Sequence, residues 1–170
     1  MQETPQEYIQ RIMGQLGGQD PRKIQAATPK KIERLIKGVP TAKLRKKPAP
    51  GKWSAGEILA HLADCEIVTS WRLRQILAEP GVRIQPFDQN LWAAAGRYGK
   101  CDPRNSLQRF AIVRASNIAL LKSLTPAEWK LHGMHEERGE ETIERVVQMM
   151  AGHDINHLKQ IEKLVAAKRR

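Results

Sequence analysis

The 170-residue sequence predicts an all-α fold, a four-helix bundle with long connections. Three observations predict it. Apolar residues recur at helical spacing over several long segments. Strong helix-start signals precede those segments, and Gly or Pro follows them. No stretch sustains the period-2 alternation of a strand. Residues 1–170 read as a single domain, because no repeat, low-complexity segment or boundary divides them.

The elements follow in order. Tyr8, Ile9, Ile12, Met13 and Leu16 give one face of a short helix over 5–16, ended by Gly17 and Gly18. Thr28 and Pro29 then read as an N-cap with proline at the first helical position. Ile32, Leu35, Ile36 and Val39 carry that helix toward Gly38. Pro48, Pro50 and Gly51 mark a loop. Ser54 and Glu57 have capping-box spacing, with Trp53 placed to staple onto Ile58. The helix they start is expected to reach Glu79, before Pro80 and Gly81. Its stripe is Ile58, Leu62, Cys65, Thr69, Leu73 and Ile76.

Residues 80–103 are expected to be irregular, apart from a short helix capped by Asp88 and ending near Gly96. Asp102 and Pro103 open a long helix containing Leu107, Phe110, Ile112, Val113, Ile118, Leu120 and Leu121. Thr125 and Glu128 form a second capping box over a short turn with Trp129. Residues 130–141 are polar and read as a loop carrying His132 and His135. The last helix is expected from about Thr142 to Ala167, with Ile143, Val147, Met150, His157, Ile161 and Leu164 on its seam.

Composition excludes several classes. Apolar residues at 41% and charged residues at 28% suit a globular core. No apolar run approaches the roughly 20 residues that a membrane span needs. The opening MQETP has no signal-peptide character, so the expected location is cytoplasmic. Two cysteines, Cys65 and Cys101, make no disulfide framework and read as reduced thiols. The net charge of +11 is dispersed. Its densest groups are Lys43, Arg45, Lys46 and Lys47, and at the end Lys163, Lys168, Arg169 and Arg170. Neither interleaves with aromatics, so a solvated basic surface is expected rather than a nucleic-acid site.

The chemistry lies in the histidines. His153 and His157 are four apart on the last helix and therefore share a face. His157 occupies the apolar seam, where two adjacent imidazoles are poorly satisfied unless they share a partner. A divalent cation is such a partner. His61, bordering the stripe of the capped helix, supplies a third ligand. Three protein ligands leave a coordination position open, as catalytic sites require. The pair is not the zinc-protease HExxH motif, because Asp154 follows His153.

Neighbouring residues have two readings each. Asp64 and Gln160 lie one turn after His61 and His157 and could fix an imidazole tautomer, or be surface groups. Cys65 reads as a small buried core residue, with a ligand or reactive thiol as the alternative. His132 and His135 read as exposed loop histidines, His135 with the alternative of closing over the site as an acid–base group.

Two motifs carry a family resemblance. Residues 53–64 (WSAGEILAHLAD) and 152–161 (GHDINHLKQI) resemble the two motifs of the DinB/YfiT-like superfamily. The APGKW entry at 49–53 and the RLR run at 72–74 extend the likeness over nearly the whole chain. The resemblance implies a four-helix bundle with one long crossover, and a divalent metal held by three histidines, here His61, His153 and His157. Relatives of this kind include metal-dependent thiol transferases and a mycothiol-dependent isomerase.

The resulting expectation is a metal-dependent enzyme, a thiol transferase or a hydrolase. Zinc or nickel would activate water or a low-molecular-weight thiol against a small-molecule electrophile. A homodimer is compatible with it. The alternative is a non-catalytic metal-binding or stress-response module that holds an acidic partner on its basic surface.

Overall fold

The computed structural model describes residues 4–166. Residues 1–3 and 167–170, with the predicted helix end at Ala167 and the basic residues Lys168, Arg169 and Arg170, lie outside them.

Four long helices form the bundle: α2 (Pro21–Ile36), α4 (Ala55–Ala78), α6 (Pro103–Ser123) and α7 (Ile143–Ala166). Helices α2 and α4 each pack against both α6 and α7. Helix α2 therefore faces α4 across the diagonal, and α6 faces α7, so two of the three links between successive long helices join opposite corners. Three short helices complete the set: α1 (Pro5–Gly14), α3 (Thr41–Arg45) and α5 (Gln89–Ala95). None of the described helices is long and apolar enough to cross a membrane.

The start signals act as their chemistry dictates. Ser54 Oγ accepts from the Glu57 backbone N–H, and the Glu57 carboxylate accepts from the Ser54 N–H. Such a cap stabilises a helix by about 1 kcal/mol. Asp88 and Asp102 cap α5 and α6 through their Oδ1 atoms.

Helix α2 corrects the sequence reading. It begins at Pro21 under an Asp20 cap and passes straight through Pro29. Asp20-Pro21 carries the same cap-then-proline signal as Thr28-Pro29, one segment earlier. Pro29 has no N–H, so the carbonyl of Gln25 lacks its helical donor. The buried Arg114 Nη1 donates to that oxygen at 3.0 Å. Thr28 Oγ1 meanwhile donates to the Ile24 carbonyl at 2.8 Å. The interior proline is thus satisfied from another helix.

The segment predicted as a polar loop is also corrected. Strands β2 (His132–His135) and β3 (Gly139–Thr142) pair antiparallel, and β1 (Arg83–Ile84) joins β2 in parallel. This small sheet closes one end of the bundle. Ile84 packs there with Leu73, Ile76, Leu121 and Ile143. A side chain at Gly133 would meet Ile84 Cδ1 at 2.5 Å, so glycine here leaves room for the buried Ile84 side chain. The strands are too short to display alternation.

On α6, Leu107, Phe110 and Leu121 face inward, whereas Ile112 is exposed. The buried stripe is completed by Arg114 and Asn117. Arg114 Nη2 lies 2.8 Å from Glu66 Oε2 of α4, and its Nη1 lies 2.6 Å from Asp154 Oδ2 of α7. With its bond to Gln25, this one guanidinium, carried by α6, reaches the other three long helices.

Candidate metal centre

His61 lies in the second turn of α4, fixed in register by the Ser54 cap. His153 and His157 lie one turn apart on α7. All three rings are buried, at 2%, 6% and 7% exposure. His153 Nε2 stands 3.1 Å from His61 Nε2 and 3.0 Å from His157 Nε2. The rings are mutually tilted, with centroids 4.3 to 5.2 Å apart. The structure therefore brings the predicted triad together around His153 Nε2.

Protons alone satisfy this arrangement badly. His153 Nε2 offers either one lone pair or one N–H, yet it faces two other ring nitrogens. A cation shared by the three lone pairs removes that conflict. Metal–nitrogen bonds of 2.0–2.1 Å in tetrahedral geometry place ligand nitrogens about 3.3 Å apart. The two spacings to His153 Nε2 lie within a few tenths of an ångström of that value. Buried imidazole nitrogens are donors that suit a divalent ion.

Electrostatics favour neutral, ligating rings. Burial pushes His61 down to about 3, with the nearby His157 adding to the shift. Burial lowers His157 to about 4, against its hydrogen bond to Gln160. His153 is held well below its ordinary value by burial and then by the other two rings and Arg114.

The flanking candidates divide. Gln160 Oε1 lies 2.8 Å from His157 Nδ1, which places the proton on Nδ1 and turns the Nε2 lone pair inward. Asp64 goes elsewhere, accepting from Tyr98 Oη at 2.7 Å. Cys65 Sγ lies beside the His61 ring, 3.4 Å from Nε2 and 3.6 Å from Nδ1. The ligand atoms of His61, Cys65 and His153 all fall within 4.8 Å of one another. Burial, then the neighbouring Glu66 and Asp64, push the Cys65 thiol up, which keeps it protonated.

His135 is not an exposed loop residue. It is buried in β2, and its Nδ1 accepts from the Glu137 N–H at 3.2 Å. Burial lowers it to about 4, followed by Arg138, while Glu141 opposes the shift. His132 is half-buried at the start of the same strand.

Several neighbours escaped sequence reasoning. Trp53 stands with its ring centroid 4.9 Å from that of His61. Tyr98 packs edge-on against Trp53 at 6.1 Å, from a segment with no periodicity to reveal it. Arg114 had a signal, because Leu107, Phe110, Arg114, Asn117 and Leu121 recur at helical spacing. The basic cluster at 43–47 is largely committed within the fold. Lys47 pairs with Glu57 at 2.9 Å, Arg45 binds the Cys101 carbonyl and Lys43 the Val165 carbonyl.

The family model described as the DinB superfamily matches residues 26–161. The chain belongs to the DinB superfamily. It is 25% identical over 137 residues to the "Putative metal-dependent hydrolase YfiT" of Bacillus subtilis, covering 80% of this chain and 77% of that one. A likewise named metal-dependent hydrolase of Oceanobacillus iheyensis is 27% identical over 118 residues, covering 69% and 68% of the two chains. The solved structure of Bacillus subtilis YfiT, described as having an unusual four-helix bundle topology, superposes with a TM-score of 0.79. That match has 23% identity and covers 85% of this chain and 83% of the other. The four-helix bundle is therefore the fold of this DinB superfamily member.

Proposed function

We propose that this DinB superfamily protein is a metal-dependent enzyme whose His61, His153 and His157 hold one divalent ion, zinc or nickel. The observation that carries this reading is the convergence of three buried Nε2 atoms, 3.0 and 3.1 Å apart through His153. The names of the Bacillus and Oceanobacillus relatives support hydrolysis, and the motif resemblance supports thiol transfer.

An ion held by His61, His153 and His157 would supply Lewis-acid polarisation and would lower the pKa of a bound water or thiol. The chain's own residues do the rest. Neutral imidazoles, kept so by burial, offer lone pairs at neutral pH. Gln160 holds His157 in the ligating tautomer and orientation. Trp53 packs on His61 and limits water on that side. Three neutral ligands leave the ion's double charge uncompensated, which favours an anionic nucleophile such as hydroxide or a thiolate.

The test is a screen of zinc- and nickel-loaded protein against activated esters and amides, and against electrophiles with several low-molecular-weight thiols. Turnover that requires added metal and disappears in His153→Ala is expected. Turnover that is unchanged in metal-stripped protein would contradict the reading.

A further inference from the structure

A cavity of about 490 Å³ opens beside the triad, and His157 and Gln160 form part of its wall. Its size is that of a small-molecule site. Every charged residue that lines it is basic: Arg11, Lys52 and Lys163. Among the described residues no carboxylate lines it, although the chain has 18 Asp and Glu residues. Arg11 lies over the Tyr8 ring at 5.3 Å and reaches Asn156 Oδ1 at 3.4 Å, so the guanidinium is held at the rim. Trp53 and Leu164 add apolar wall.

From this lining we infer that the cavity binds small organic anions, with a carboxylate or phosphate headgroup against Lys52 and Lys163 and an apolar body against Trp53. The inference rests on the proposed enzymatic reading, because it names the substrate class for the same site. Charge-assisted hydrogen bonds from lysine and arginine are the strong ones for such headgroups. A concave wall of one sign also concentrates oppositely charged solutes. The selectivity is local. The cluster at 43–47 is largely spent on bonds within the fold, whereas Lys52 and Lys163 are exposed at the mouth.

The test compares naphthalene-2-carboxylate, 2-naphthyl phosphate and the uncharged naphthalene-2-carboxamide. Binding to full-length protein, zinc-loaded and metal-stripped, is read from the Trp53 indole N–H signal in NMR titrations. The metal-stripped arm removes direct anion–zinc contact. There, at least one anion should bind about tenfold tighter than the carboxamide, a difference of about 1.4 kcal/mol. The tighter anion identifies the headgroup. Lys52→Ala/Lys163→Ala should reduce the preference to about twofold with unchanged melting temperature. A carboxamide that binds as tightly as both anions, or a preference untouched by the double variant, would overturn the inference. Failure to take up zinc would instead sink the enzymatic reading, and the metal-stripped titrations would still decide this one.

Discussion

Arg114 grips Asp154 with two bonds, Nη1 to Oδ2 at 2.6 Å and Nη2 to Oδ1 at 3.1 Å, one residue from His153. Both side chains are almost wholly buried. Burial opposes the charge on Arg114, but Asp154 and Glu66 outweigh it and raise the guanidinium above its ordinary value. Burial lifts the Asp154 carboxyl, with Arg114 pulling the other way. Removing the cation would strand two buried carboxylates. Arg114→Met should cost about 3–5 kcal/mol, read by urea denaturation. A loss below about 1 kcal/mol would mean that the network is not charged as described.

Gly152 sets how closely α1 approaches α7. A Cβ there would land on the Ile12 carbonyl oxygen, a backbone atom that cannot rotate away. Gly152→Ala should destabilise by about 1–3 kcal/mol, as overpacking does. Gly14 ends α1 with nothing within 4 Å of its would-be Cβ. Gly14→Ala is therefore the control, expected to be neutral or stabilising by up to about 1 kcal/mol. Equal effects on thermal melting at the two sites would refute the close contact.

Gln160 is a positioning residue in this account. Gln160→Leu keeps the bulk but loses the acceptor on His157 Nδ1. Zinc affinity should fall about 10- to 100-fold, with the fold unchanged by circular dichroism. Gln160→Glu, which retains an acceptor, should restore most of it. Identical zinc affinities in all three proteins would remove Gln160 from the site.

Metal-free protein should be acid-sensitive in a defined window. In the unfolded chain the histidines protonate near 6.5, whereas burial holds His61 at about 3 and His157 at about 4. The unfolded state therefore binds more protons as pH falls below about 6.5. Stability present above that pH is lost on acidification toward about 4, with each ring contributing about 1.4 kcal/mol per pH unit. Denaturant midpoints of stripped protein at neutral and mildly acidic pH measure this. A midpoint that rises on acidification would have the wrong sign.

Much of the fold and the candidate triad was legible because their signals are local. Ser54 and Glu57 fix where α4 begins, and that register carries His61 inward. The four-residue spacing of His153 and His157 puts both on one face. What escaped was set by long-range contacts. Pro29 reads locally as a helix start, and only Arg114, distant in sequence, satisfies the carbonyl it frees. His135 looked exposed because β2 has four residues and is ordered by pairing with β1 and β3. Asp64 has the spacing of a residue that orients His61, but Tyr98, from an aperiodic segment, claims it.

Elemental analysis of purified protein beside its His157→Ala variant tests the central claim most directly. The account predicts about one zinc or nickel ion per chain in the first, the stoichiometry of a single catalytic site, and loss of it in the folded variant. A folded protein that holds no divalent ion even after zinc dialysis, or a variant that retains it in full, would contradict it.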